Sequence, residues 1–504
     1  MNNLIVKLNS HDNVAIAVKP LTKGETVTES LTALDDIPQA HKIALCDIKK
    51  GAEILRYNTV IGYANKDIKK GQWINQYMVT LPTAPSLDNM EFGTNIVTEL
   101  PTPPRTSWLG YPNPNGGPAG TRNILGIMTT VQCATGVVNA AVKKIRAELL
   151  PQFPNVDDVV PINHSYGCGV AINAPEAVIP IRILQNLTHH PNFGGQVMVV
   201  SLGCEKLTVE KLLPPEENTP DNVIVLQEQQ GFSGMVNAIM TMAKKKLTIL
   251  NERKRVELPL SDLVVGLQCG GSDAFSGVTA NPSAGYAADM LVKGGATVMF
   301  SEVTEARDGV HLLAKRCVSK EVCQKLASEM KWYDHYLSEA HVDRDANPAP
   351  GNKKGGLANI VEKAMGSIAK SGTSPIVEVL SPGEKPTKHG LIYAATPAND
   401  FACGTCQLAS GMNVHVFMTG RGSTYGLALV PVIKVSSRTE LKEQLPDIID
   451  VNAGTIATHD STIEKVGLEI FNLILDTASG KKKTFAEQWK IENDLCVFNP
   501  APLT

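Results

Sequence analysis

From Thr121 onward, short β-branched runs alternate with longer amphipathic ones, and this alternation limits the possible folds more than any other feature of the chain. VVPI, VMVVSL, LVVGL, ATVMF, SPIVEVL, GLIYAAT, VHVFMTG and VPVIKV have the length and composition of buried strands. Between them, VVNAAVKKIRAEL, APEAVIPIRILQNL, MVNAIMTMAKKKLTIL and NPSAGYAADMLV repeat apolar residues at helical spacing. Strand and helix in alternation build βαβ units, so an α/β fold with mainly parallel sheet is expected. Residues 121–385 are read as an α/β catalytic domain and 386–504 as a C-terminal α/β domain. Residues 1–80 differ: LIVKL, NVAIAVKPL, KIALCDI and ILRYNTVIGYA are short and separated by Lys-Lys-Gly turns, which predicts a small all-β domain. Eight prolines crowd residues 81–120, the signature of a semi-rigid linker.

Four cysteines stand just past apolar strand-like runs: Cys133, Cys168, Cys204 and Cys269. The carboxyl ends of parallel strands share one edge, where ligands bind. His164 lies in the same short loop as Cys168, and imidazole with thiolate suits zinc or iron. His164, Cys168, Cys204 and Cys269 are therefore the expected metal ligands, around one iron ion or, alternatively, with three thiolates on an iron–sulfur cluster. Any one of these cysteines alone reads as a small buried hydrophobe.

Carboxylates also follow strands. Glu302 comes directly after ATVMF, where its charge needs a partner, and Asp273 follows Cys269-Gly270-Gly271-Ser272. Both, together with His41 and His164, are candidate catalytic groups, with an N-cap as the plain alternative for Asp273. Glu205 and Glu305 read equally as charges at helix N-termini. Asn352, Lys353 and Arg421 lie in Gly-rich loops suited to a carboxylate substrate. The Cys403–Cys406 spacing lacks a zinc-ribbon or thioredoxin context and reads as coincidence. His189 and His190, before Pro191, read as surface residues.

Net charge is −3, and no basic excess favours nucleic acid or an anionic membrane. No apolar run approaches a membrane span, no signal peptide is evident, and ten cysteines without export features favour free thiols or metal ligands. A cytoplasmic protein, a homo-oligomer, is expected.

Taken together these motifs resemble the altronate/galactarate dehydratase family of sugar-acid dehydratases over essentially the whole chain. The likeness lies in DNVAIAV and HKIALCDIKKG, in HSYGCGVAINAPEAVIPIR, VMVVSLGCEKL, QCGGSDAFSGVTANP and FSEVTE, and in NPAPGNKKGGLANIVEKAMGS and TGRGSTYG. The stretch after Cys168 and the ending VFNPAP resemble the galactarate branch. The resemblance implies an N-terminal SAF-type β domain. It also implies an iron(II)-dependent hydro-lyase converting galactarate, a small sugar diacid, to 5-dehydro-4-deoxy-glucarate. Altronate or glucarate as substrate, or a sugar-acid-binding protein without catalysis, are the alternatives. Asn9 stands where the family carries a histidine, with His11 two residues later. The context of His41 matches the family, and a β domain ahead of a linker is placed either to act as a lid, with His41 completing the site, or to serve assembly or stability.

Overall fold

A computed structural model describes residues 4–504. The N-terminal region folds into small antiparallel sheets. Ile5–Val6, Val14–Ala17, Lys42–Ala44 and Trp73–Ile74 form one, and Glu53–Arg56, Thr59–Ala64 and Val79–Thr80 another. The expected all-β module is thus present. The Pro-rich stretch that follows is laid along the body. Arg344 Nη2 donates to the Pro82 carbonyl at 2.8 Å, and Ser107–Gly110 pairs antiparallel with Val256–Pro259.

Two parallel sheets follow, as the alternating pattern predicts. The first has four strands in the order Asp158–Ile162, Ile124–Thr129, Val199–Ser201, Val223–Val225. Its central strand is buried on both faces, as parallel sheets require. Side chains alternate between those faces. Leu125 and Ile127 meet helices Thr135–Lys144 and Gly231–Leu250, whereas Ile124 and Met128 join the large core shared with the rest of the molecule.

The second sheet has seven strands. In order they are Ile376–Leu380, Gly390–Ala394, Thr297–Phe300, Val264–Cys269, Val414–Thr419, Val432–Ser436 and Val451–Asn452. The expected boundary near residue 385 falls between two neighbouring strands of this one sheet. Helices start at side-chain caps: Asn359 accepts from Glu362 N and Asn399 from Ala402 N. No helix among the described residues is long and apolar enough to cross a membrane.

The β domain is docked on the seven-stranded unit through buried charge. Glu362, fully buried, accepts from Lys42 Nζ at 2.9 Å and from Arg56 Nη1. Lys42 Nζ also donates to Gly356 O at 2.6 Å, and Arg56 Nη2 to Ala274 O at 2.6 Å. Around these ions, Ile16 and Ala40 pack on Ala274, Phe275 and Leu357. Tyr57 lies over a close backbone contact: a Cβ added to Gly277 would come within 2.4 Å of Gly366 Cα and 2.5 Å of Tyr57 Oη.

His190, expected at the surface, is 2% exposed. The loop carrying it turns into the junction of the two sheet units, where Nε2 meets Met412 O at 2.9 Å and Nδ1 accepts from Asn192 N at 3.2 Å.

Two predictions follow from this packing. Glu362→Gln leaves two cations facing a neutral group, so denaturant unfolding should show a loss of about 3–5 kcal/mol. The Pro-rich segment should also become more sensitive to protease. Burial lowers the His190 pKa from 6.5 to about 4. The unfolded chain takes up that proton below pH 6.5 and the folded chain refuses it, so stability should fall with pH between these values. The loss should approach about 1.4 kcal/mol per pH unit for this group, with a shallower slope in His190→Gln.

Candidate active site

The carboxyl edge of the seven-stranded sheet gathers its loops under the β domain. The carbonyl of Gly271 accepts from Gly420 N at 3.1 Å and Arg421 N at 2.8 Å, binding the loop after Val264–Cys269 to the loop after Val414–Thr419. Asp273 ties the first of these loops to the one after Val432–Ser436. Its Oδ1 accepts from Phe275 N, Ser276 N and Ser437 Oγ at 2.9–3.0 Å, and its Oδ2 lies 3.0 Å from Arg438 Nε. Beside it the Ser272 hydroxyl is buried without a hydrogen-bond partner. Asn352 bridges loops, donating to Ser272 O at 2.8 Å and accepting from Ala349 N at 2.8 Å. Arg421 is exposed and Lys353 half-buried. A cleft of about 660 Å³ lies between the two domains, lined by His41, Trp73, Tyr77, Pro350, Lys353 and Lys354.

His41 is fixed at both ring nitrogens. Nδ1 accepts from Trp73 Nε1 at 3.1 Å, so Nε2 carries the proton and donates to Lys354 O at 3.2 Å. Burial holds its pKa below the usual value, so the ring is neutral near pH 7. The structure gives it no free lone pair with which to take a proton; it anchors the Pro350–Lys354 turn. His11 is exposed and bonds to Asn9 Oδ1 at 3.1 Å.

Beneath the edge, Cys269, Glu302 and Glu305 place one ligand atom each within 4.8 Å of one another. Lysines already supply the opposing charge. Lys370 Nζ is 2.7 Å from Glu302 Oε2 and 3.3 Å from Cys269 Sγ, and Lys363 Nζ is 2.8 Å from Glu305 Oε1. Burial, then the neighbouring Glu305, raises the Glu302 carboxyl above the ordinary range, against the pull of Lys370. Burial alone lowers the Lys370 pKa, but Cys269, Glu302 and Glu305 together raise it, so the ammonium persists. Glu302 has φ 78°, a left-handed conformation uncommon outside glycine.

The four-stranded sheet carries the other strand-end residues. Cys133, Cys168 and Cys204 are exposed free thiols. His164 is buried, with Nε2 2.7 Å from Thr129 O; Nδ1 makes no hydrogen bond of regular geometry, although the Tyr166 backbone is close enough to influence it. Glu205 accepts from Ser201 Oγ, Leu202 N and Gly203 N at 2.6–3.1 Å and from the Thr130 hydroxyl, so its carboxylate is a loop tie.

The structure therefore divides the expected ligand set. Cys168 and Cys204 stand on one sheet with His164, whereas Cys269 stands on the other among lysines. Of the expected acid–base residues, Asp273 is held by backbone and hydroxyl donors, Glu302 is paired with Lys370, and His41 and His164 each engage a backbone carbonyl. Of the expected substrate contacts, Lys353 and Arg421 remain available, while Asn352 is spent on the fold. Cys403 and Cys406 are buried on the helix Asp400–Ala409 and form no disulfide. Lys370, Lys363 and Glu362 carry no spacing signal in the sequence, because their partners lie far away in it. The one signal was the extra charge on an otherwise apolar helix run.

Three family models cover nearly the whole chain. The altronate/galactarate dehydratase SAF domain matches residues 3–82, the second domain of D-galactarate dehydratase/altronate hydrolase matches 110–251, and the C-terminal domain of D-galactarate/altronate dehydratase matches 260–503. Among curated proteins, the chain is 56% identical to galactarate dehydratase (L-threo-forming) of Escherichia coli K12, over 99% of this chain and 97% of that one. It is 32% identical to altronate dehydratase of Bacillus subtilis 168, over 94% and 95% of the two chains. Altronate dehydratase of Escherichia coli K12 is 30% identical over 95% of each.

Lys370→Met removes the hydrogen-bond donor to buried Glu302 and Cys269 and should cost about 1–3 kcal/mol in denaturant unfolding, the penalty of buried polar groups left without a partner. Adding Glu302→Gln should recover part of that loss. Strictly additive costs in the double variant would mean the pair is not coupled.

Proposed function

The chain belongs to the altronate/galactarate dehydratase family, and from that premise we propose that it is a hydro-lyase removing water from galactarate to give 5-dehydro-4-deoxy-D-glucarate. The observation that carries this reading is the far greater likeness to the galactarate enzyme than to the altronate enzymes across the full chain. The reading includes ferrous iron as cofactor, with an iron–sulfur cluster as the alternative, a cytoplasmic location and a homo-oligomeric state.

The reaction takes a proton from the carbon beside a carboxylate and expels the hydroxyl on the next carbon as water. The enol left behind becomes the ketone. Negative charge grows on the carboxylate as the proton leaves, so a cation placed there beforehand lowers the barrier. Arg421 and Lys353 bring such cations to the carboxyl edge, suited to the two ends of a diacid. Asp273 ties the loop of Gly271 to Ser437 and Arg438, and His41, through the Lys354 carbonyl, holds the segment that carries Lys353. The β domain above the edge limits water around a reactive enolate. When bound, iron would supply Lewis-acid chemistry, and the thiols at the end of the four-stranded sheet are donors that would suit it.

The test is turnover by anaerobically iron-loaded protein offered galactarate, glucarate and altronate. Galactarate should give keto-acid product fastest. Product from none of the three would overturn the reading, and turnover of altronate alone would move it to the other branch. Arg421→Ala should raise KM for galactarate about tenfold or more, the worth of one charge-assisted hydrogen bond, with a smaller change in kcat.

A further inference from the structure

A single guanidinium joins the β domain to the loop of Arg421 and to Asp273. Arg438 Nη1 donates to Gln39 Oε1 at 3.1 Å, Nη2 donates to the Gly420 carbonyl at 2.9 Å, and Nε lies 3.0 Å from Asp273 Oδ2. A rigid fork of N–H donors can serve three acceptors in fixed directions, which a lysine ammonium cannot. Gln39 is oriented for its part. Its Nε2 donates to Val18 O at 2.9 Å and to Glu440 Oε1 at 2.8 Å, so both amide hydrogens are engaged and the oxygen is left for Arg438.

Gly420 immediately precedes Arg421. The Gly420 and Arg421 N–H groups bond to Gly271 O, and Gly422 N donates to Thr419 Oγ1 at 3.0 Å. Those bonds hold the loop by its N–H groups, and Arg438 holds it by a carbonyl. Arg421 in turn borders the segment of Lys353: a Cβ added to Gly355 would come within 3.3 Å of Arg421 Cδ. The β domain thus reaches both candidate substrate cations from residues two apart. His41 meets Lys354 O, next to Lys353, while Gln39 meets Arg438, which meets Gly420 O, next to Arg421. Between them Ala40 has φ 71°, a left-handed conformation uncommon outside glycine, and its carbonyl lies 2.1 Å from where a Cβ on Gly356 would fall.

We propose that Arg438 is a positioning residue for Arg421, and that its bond to Gln39 makes the placement of Arg421 depend on the docked β domain. The proposal deepens the dehydratase reading and rests on it for Arg421 as the cation that meets a substrate carboxylate. Balancing the charge of Asp273 is a separate, structural task of Arg438, and Gln39 has no part in it.

The test uses the full chain, anaerobically iron-loaded, as Arg438→Met, Gln39→Ala, Arg421→Ala and the two double variants that include Arg421→Ala. Galactarate KM and kcat, thermal unfolding and amide hydrogen exchange at residues 420–422 are measured. Arg438→Met should raise KM about fivefold and Gln39→Ala about twofold, with smaller changes in kcat. Neither should raise KM further in Arg421→Ala protein, because both act through that side chain. Exchange at Gly420, Arg421 and Gly422 should quicken in both single variants. Gln39→Ala leaves the Arg438–Asp273 pair in place, so it should keep the wild-type thermal unfolding, and it decides the matter even where Arg438→Met folds poorly. KM effects that multiply with that of Arg421→Ala, or unchanged exchange at residues 420–422 in Gln39→Ala, would overturn the proposal and leave the dehydratase reading intact. Product from no sugar acid would remove the dehydratase reading instead, and the exchange rates would still decide whether Gln39 and Arg438 hold the loop.

Discussion

A single buried carboxylate holds the molecule in its working shape. Glu362 sits on a helix of the seven-stranded unit, yet both of its cations, Lys42 and Arg56, come from the β domain. Three charges taken out of water are tolerable only together, because each would cost several kcal/mol alone. Docking is therefore close to all-or-none, since a partial separation strands charge in an apolar gap. The β domain thus serves as one wall of the cleft. His41 and Lys42 reach across it to the carbonyls of Lys354 and Gly356, so the turn bearing Lys353 is shaped by a domain more than three hundred residues earlier in the chain.

The two parallel sheets divide the chemistry between them. The edge of the seven-stranded sheet presents cations over a floor of buried polar groups, where Lys370 bonds to Glu302 and Lys363 pairs with Glu305. The edge of the four-stranded sheet presents soft sulfur donors with little competing charge, because Glu205 is consumed by hydroxyl and backbone donors.

Much of this was legible in the sequence. Buried parallel strands read as continuous β-branched runs, and VHVFMTG and ATVMF fall where the strands do. Which strands share a sheet was not legible. Cys204 and Cys269 follow equally strand-like runs, and only the packing assigns them to different edges. The loop Ser381–His389, rich in Pro, Gly and Lys, reads as a boundary but joins neighbouring strands of one sheet. His190 looked like surface because its neighbours are polar; its burial depends on a carbonyl more than two hundred residues away. The available cations Lys353 and Arg421 could be picked out because glycines surround them. The residues that neutralise the interior could not, since an ion pair between distant segments leaves no spacing to detect.

The contact of Gly277 with Gly366 beneath Tyr57 has a consequence for how this sequence can vary. Gly366 lies within the helix Ile360–Ile368, where alanine is the better helix former by about 1 kcal/mol. A methyl group at Gly277 would meet the opposing backbone and the Tyr57 hydroxyl at once, and neither is the free end of a flexible chain. Tyr57 adjoins Arg56, so a wedge here would push directly on the cation that holds Glu362. At Gly366, where alanine would improve helicity, a Cβ would meet Gly277 Cα and the Tyr57 hydroxyl at 3.3 Å, so the helix gains only if this contact gives way by a few tenths of an ångström. Room for change beneath the β domain is thus limited where two backbones touch without side chains between them.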